Sequence, residues 1–187
     1  MKSFLTSFDL FSETEIEAVL ALGKTERLAK GDFFIKEGSV CRKLAFINSG
    51  LVRTYYHSSS SEEITYCFFF AGQMLSAYSS LITGEPTSEN LEALADTELF
   101  VLSKAVLDKL VASDTRWLLL TKIIAEQQYI ELEKRIFLLQ KEKAEKRYAD
   151  LLQSQPEYLQ HIPLRYLASY LGITQRHLSR LRKGDSF

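Results

Sequence analysis

Residues 163–183 read PLRYLASYLGITQRHLSRLRK, and the side chains able to do recognition chemistry gather in the second half of that stretch. Thr174, Gln175, Arg176, His177, Ser179, Arg180, Arg182 and Lys183 supply the hydroxyl, amide, guanidinium and ammonium donors that read base edges and neutralise phosphates. On a helix that starts after Thr174, Leu178 and Leu181 share one face and leave Gln175, Arg176, Ser179, Arg180 and Arg182 on the other. A basic, donor-rich outer face suits double-stranded DNA, whereas a helix that docks a protein keeps apolar anchors there. Other chemistries find no constellation. His57, His161 and His177 are too scattered for a ligand set, and His177 is expected to meet phosphate or solvent. Cys41 and Cys67 make no CxxC pair and have no thiolate-stabilising neighbour in sequence, so they read as inert thiols. There is no Gly-rich phosphate loop, no Ser/His/Asp arrangement and no carboxylate pair beside a nucleophile. The chain is expected to be neither an enzyme nor a holder of a metal or cofactor.

The elements that must position those donors follow from spacing. Pro163 fits a first helical turn, where its missing amide hydrogen costs nothing, and the helix from Leu164 to Leu171 turns Leu167, Ala168 and Leu171 inward. Gly172 supplies the positive φ of the turn, Ile173 fills the angle between the helices, and Thr174 caps the second one. Small residue, glycine four later, apolar residue six after that is the helix-turn-helix spacing.

Upstream, residues 114–140 keep a helical period throughout. Leu118, Ala125, Tyr129, Leu132, Ile136 and Leu139 form one apolar stripe, and Leu120, Ile123, Ile130 and Phe137 form another on the opposite side. Such a helix needs two covers: the chain's own β domain for one stripe and, for the other, the same helix of a second subunit. A central helix buried within one monomer is the alternative. The polar stretch 140–147 reads as a hinge before a short amphipathic helix carrying Ala144, Tyr148, Leu151 and Leu152, which must end before Pro156.

Nearer the start, Ser12 and Glu15 form a capping box for a first helix carrying Ile16, Val19 and Leu20. Between residues 24 and 103, aromatic and β-branched runs alternate with Gly and Ser turns, the pattern of an antiparallel sandwich. Strands are expected at 25–28, 33–36, 43–48, 51–57, 63–70, 88–95 and 98–103, with residues 58–61 as an exposed hairpin tip. The 187 residues suffice for one or two domains with a real core, and 23 basic against 24 acidic residues give no bulk signal for nucleic acid or membrane. Distribution carries the signal instead: from His161 onward five basic residues face one acidic, a tail of +4 on a remainder of -5. No apolar run is long enough for a membrane span or a secretory signal, so a cytoplasmic protein is expected.

In this order, a β-rich domain, a long two-faced helix and a terminal helix-turn-helix resemble the bacterial Crp/Fnr regulators, relatives of the cyclic-AMP receptor protein and the fumarate-nitrate regulator. The stretch KGDFFIKEGSVCRKLAFINSGLVRTYY, with Gly31, Gly38 and Gly50 at its turns, is similar to the first half of that family's jelly roll. The resemblance implies an α+β fold: a cyclic-nucleotide-binding-type jelly roll (double-stranded β-helix) over 1–113, a dimerisation helix over 114–140 and a helix-turn-helix domain over 141–187. It implies a homodimeric transcription factor on an inverted-repeat DNA site, with RNA polymerase as a further partner. Gln175, Arg176 and Arg180 align with its base-reading positions, with Thr174 and Ser179 close by. Leu118, Ala125, Tyr129, Leu132 and Ile136 would form the dimer interface. An interaction module of the same β fold, docking a protein through its tail, is the rival.

Two departures limit the resemblance. Members that bind cyclic AMP hold the ribose with a Glu after glycine and the phosphate with an Arg after proline. Here the matching stretch has Gly72, Gln73 and Met74, then Thr87, Ser88 and Glu89. Gln73 replaces the Glu, the Arg is missing, and Glu89 adds negative charge. No Arg lies between Arg53 and Arg116, and no Lys between Lys43 and Lys104. These six residues are the candidate effector pocket, which is expected not to take cyclic AMP and either to be empty or to hold something else. Only residues 184–187 follow the second helix, so no C-terminal wing is expected.

Overall fold

The computed structural model describes residues 1–183, so the expectation about a wing lies outside the described residues. Two short helices come first, α1 (Lys2–Thr6) and α2 (Glu13–Leu20). The capping box forms as expected: Glu15 N–H donates to Ser12 Oγ, and the Glu15 carboxylate accepts from Ser12 N–H.

The strands are β1 (Lys24–Leu28), β2 (Phe33–Ile35), β3 (Lys43–Ser49), β4 (Leu51–His57), β5 (Glu63–Phe70), β6 (Met74–Leu75), β7 (Asn90–Ala93) and β8 (Thr97–Ser103), with helix α3 (Tyr78–Thr83) between β6 and β7. They form two antiparallel sheets, β1-β8-β3-β6 and β2-β7-β4-β5, folded face to face as a jelly roll. Val52, Leu91 and Ala93 of the second sheet meet Ala45, Leu99 and Val101 of the first in the core between them. The strand expected over 88–95 is shorter at both ends: Glu89 N–H turns back to Thr87 Oγ1 at 3.0 Å, and Ala95 O accepts from Thr97 Oγ1 at 2.8 Å in the turn to β8.

Several small elements had no periodic signal to betray them: α1, β6, α3 and the later α7 are each six residues or fewer. Helix α4 (Lys104–Ser113) is longer; it follows β8 without a break, Ser103 Oγ accepting from Val106 N–H.

The long helix α5 runs Thr115–Lys141, capped by Asp114, whose carboxylate accepts from Arg116 N–H at 2.8 Å. Arg116 reaches back to pair with Glu15 and holds that carboxyl down at about 2. Only Trp117 and Leu120 of α5 are buried, in a cluster with Leu5, Ile16, Val19 and Leu102. The expectation that the β domain covers one whole stripe is therefore corrected: cover stops near Ile124, and Ile130 and Phe137 stand exposed. The expected hinge also contracts. α5 continues to Lys141 and α6 (Ala144–Ser154) starts at once, so only Glu142 and Lys143 break the helix. Arg147 bridges the break by donating to the carbonyls of Leu139 and Glu142. Helices α7 (Glu157–His161), α8 (Leu164–Leu171) and α9 (Gln175–Lys183) follow.

These last helices explain an anomaly in β4. A strand with one face to water alternates buried and exposed residues. In β4, Leu51 through Tyr55 are all buried, because α7 and α8 lie on the outer face of the second sheet.

Candidate nucleic-acid interface

α8 and α9 form the turn the sequence predicts. Gly172 takes the left-handed conformation at φ 66°, and its amide caps α8 by donating to the carbonyls of Ala168 and Ser169. Ile173 N–H donates to Ala168 O at 3.0 Å, which folds the chain back at a residue only 2% exposed. Thr174 Oγ1 accepts from His177 N–H at 3.2 Å, the N-cap geometry. Leu178 is wholly buried against α8, while Leu181 is half-buried.

With that side fixed, Gln175, Arg176, Arg182 and Lys183 are exposed together with Thr174, and His177, Ser179 and Arg180 lie half-buried at the flanks. His177 Nε2 stands 3.7 Å from a Glu145 carboxylate oxygen, which ties α9 loosely to α6. Arg176, Arg182 and Lys183 make no ion pair among the described residues, so the outer face of α9 presents cations and donors to solvent. A phosphate backbone reached by this face would find those charges uncommitted.

The dimer-interface candidates lie where the stripe predicts. Leu118 (55% exposed), Tyr129 (66%), Leu132 (51%) and Ile136 (43%) line one open side of α5, with Ala125 half-buried among them.

The six effector-pocket candidates do not converge. Gly72 and Gln73 are exposed in a turn, where Gln73 Oε1 accepts from Phe70 N–H at 2.7 Å, and Met74 is half-buried in β6. Thr87 is buried and Ser88 exposed, and Thr87 Oγ1 accepts from Glu89 N–H. Glu89 alone joins a cluster that the sequence did not reveal. The Tyr66 hydroxyl and the Cys67 thiol lie close enough to its carboxylate to feel its charge. Cys67 pairs with Thr54 across the sheet. Glu89 Oε2 and Thr54 Oγ1 are buried without a hydrogen-bond partner. Burial raises the carboxyl of Glu89 and the phenol of Tyr66, and pushes the Cys67 thiol up to about 11. Tyr66 enters this cluster because it is the extra residue of a β-bulge: Thr54 opposes Cys67 but Tyr55 opposes Thr65. Nothing in a run of alternating residues announces where a bulge falls.

No helix among the described residues is long and apolar enough to cross a membrane. Residues 25–114 match the family profile of the cyclic nucleotide-binding domain. No curated protein sequence matches the chain. Solved structures do. FixK2 from Bradyrhizobium japonicum superposes with a TM-score of 0.78 at 19% identity, over 87% of this chain and 83% of that one. A putative transcriptional regulator of the Crp/Fnr family from Eubacterium rectale gives 0.75 at 18% identity, over 97% and 87%. The c-di-GMP-responsive global regulator CLP of Xanthomonas campestris gives 0.73 at 18%, over 92% and 91%. Residues 25–114 thus match the cyclic nucleotide-binding domain profile, and the chain has the fold of the Crp/Fnr transcriptional regulators.

Proposed function

We propose that this protein is a cytoplasmic, homodimeric regulator that binds DNA by sequence and does no chemistry of its own. Residues 1–113 form the sensor, 114–140 the dimerisation helix and 141–187 the DNA-binding domain. The observation that carries the reading is the solvent face of α9, where Gln175, Arg176, Arg182 and Lys183 stand exposed on a helix anchored by the wholly buried Leu178. Tyr129, Leu132 and Ile136 of α5 are the surface on which a second subunit docks, and a two-fold pair of recognition helices fits an inverted repeat with half-sites roughly 34 Å apart. Cyclic AMP is not its effector, and the half-buried Glu89 is the pocket candidate we favour for contact with whatever the sensor takes.

Selection of bound fragments from genomic DNA by the purified protein tests this reading. An inverted repeat should emerge. Arg176→Ala or Arg180→Ala should then cost about 1–3 kcal/mol and relax base preference, while Lys183→Ala should weaken all sequences alike and lower the salt slope by about one. Variants that bind every probe as the parent does would overturn the assignment of α9.

A further inference from the structure

The outer face of the second sheet holds a charge where water cannot reach it. Arg53 on β4 is 1% exposed. Its guanidinium lies between two tyrosine rings, 4.2 Å from the centroid of Tyr55 on its own strand and 3.7 Å from that of Tyr166 on α8. Nε donates to Thr65 Oγ1 at 2.8 Å and Nη1 to Glu63 at 2.7 Å, both on β5, and Nη1 lies 3.5 Å from the Glu92 carboxylate on β7. One side chain therefore ties three strands of the sensor to the first helix of the helix-turn-helix.

Ser169, one turn along α8 from Tyr166, closes the seam. Its Oγ accepts from Thr65 N–H at 2.9 Å and donates to Glu63 O at 3.1 Å. β5 is the edge of its sheet, so α8 satisfies backbone groups that an edge leaves open. A second arginine grips α8 from the other side: Arg135 of α5 stacks 3.9 Å from the Tyr170 ring centroid and donates to Tyr170 O at 2.9 Å. Neither grip involves Gln175, Arg176, Arg182 or Lys183.

We propose that Arg53 and Arg135 are positioning residues for DNA recognition. They clamp α8 between the sensor sheet and the long helix, and so set the half-site spacing that the dimer reads. Apolar contacts alone, such as Phe68 against Tyr158 and Tyr170, would hold the domains together but let them slide. The guanidinium is a rigid planar fork, and a stacked, hydrogen-bonded fork fixes both distance and angle. Burying its charge is costly, so an arginine kept here acts through geometry more than through stability. The inference rests on the DNA-binding reading above.

The test uses the full chain with Arg53→Lys, Arg135→Gln, Ser169→Ala and Tyr166→Phe. Two readouts are needed: affinity for inverted repeats whose half-site separation is varied one base pair at a time, and amide hydrogen exchange over residues 63–66, which reports docking of α8 without DNA. The parent should prefer one spacing. Arg53→Lys and Arg135→Gln should flatten that preference on the order of tenfold, the size of an ordinary coupling between sites, and speed exchange at Thr65. Affinity for a single half-site should stay within about twofold. Tyr166→Phe keeps the stacking ring and should behave as the parent. If Arg53→Lys does not fold, Arg135→Gln and Ser169→Ala, at half-buried positions, carry the test. Folded variants that keep the parent's spacing preference overturn the clamp. A parent that selects no DNA overturns the DNA reading and the spacing role with it, while exchange at Thr65 still tells whether the arginines hold the domains together.

Discussion

Two surfaces of this molecule are built alike and end differently. The outer face of the second sheet carries Leu51, Tyr55 and Phe68, and α7 and α8 bury them within the chain. The open side of α5 carries Leu118, Tyr129, Leu132 and Ile136, all exposed among the described residues. A contiguous apolar patch left in water marks an interface in a soluble protein. The difference lies in reach: α8 follows a short α7 and can fold back onto the sheet, whereas the second half of α5 projects past the helices that cover Trp117 and Leu120. What the chain can reach it covers itself, and the side it leaves open is the surface proposed above for a second copy.

The most severe way to break that comparison is to charge the uncovered side. Tyr129→Asp combined with Ile136→Asp should convert a two-fold dimer into monomers, since four carboxylates would be buried in one interface without partners. Sedimentation of the parent as a monomer at micromolar concentration would refute the interface outright. The fold of each monomer should survive, because both positions are exposed in the single chain.

Removing the charge from the covered side gives the opposite signature. Arg53→Met removes the partner of Glu92 and the ion between Tyr55 and Tyr166, and should cost about 3 kcal/mol of stability. That lies at the low end for a broken buried pair, because Glu63 is 45% exposed and water screens its share. Arg176→Ala on α9 should stay within about 0.5 kcal/mol of the parent. Urea unfolding separates the two; equal losses would mean that α9 is packed like the sheet and not presented to DNA.

A smaller effect comes from Glu89. Burial raises its carboxyl pKa, so the folded protein holds that proton more tightly than the unfolded chain does. Its contribution to stability is best at low pH, where the group is protonated in both states. It worsens as pH climbs from the ordinary carboxylate range through the raised value. Glu89→Gln should therefore flatten this part of the pH profile and raise the melting temperature at neutral pH. A variant less stable than the parent at pH 7 would show that the charged form is the one the fold favours.

How far these surfaces were legible in the sequence depended on the length of the signal. The helix-turn-helix was readable because Gly172, Ala168, Leu178 and Thr174 each do one local job within a single motif. The stripes of α5 were readable because the helix spans 27 residues, long enough for the period to repeat. The burial of Arg53 was not, since an arginine in an alternating strand reads as solvent-facing until a helix more than a hundred residues later lies on it. The Tyr66 bulge shifts register by one residue, and periodicity cannot see that. Gln73 was read by its alignment with a ribose-binding Glu, yet its side chain closes its own turn.

The smallest expected effect is none at all: cyclic AMP should neither bind nor switch this protein. The sequence motive is the absence of a cation in the pocket segment, where Glu85 and Glu89 stand between Lys43 and Lys104. The structure adds a second obstacle. Tyr66 stands by the Glu89 carboxyl, and burial already disfavours the charged form of both, so a cyclic phosphate placed there would add an unpaired anion to a desolvated site. Arg135 contributes charge to the surroundings of Tyr66 and Cys67, but its guanidinium is committed to Tyr170. Freeing it for a phosphate would undo one of the two grips on α8. Calorimetry with millimolar cyclic AMP should show no saturable heat, and DNA affinity should not change. Binding at low micromolar concentration would mean that Arg135 does turn inward, and Arg135→Gln should then abolish that binding together with the spacing preference.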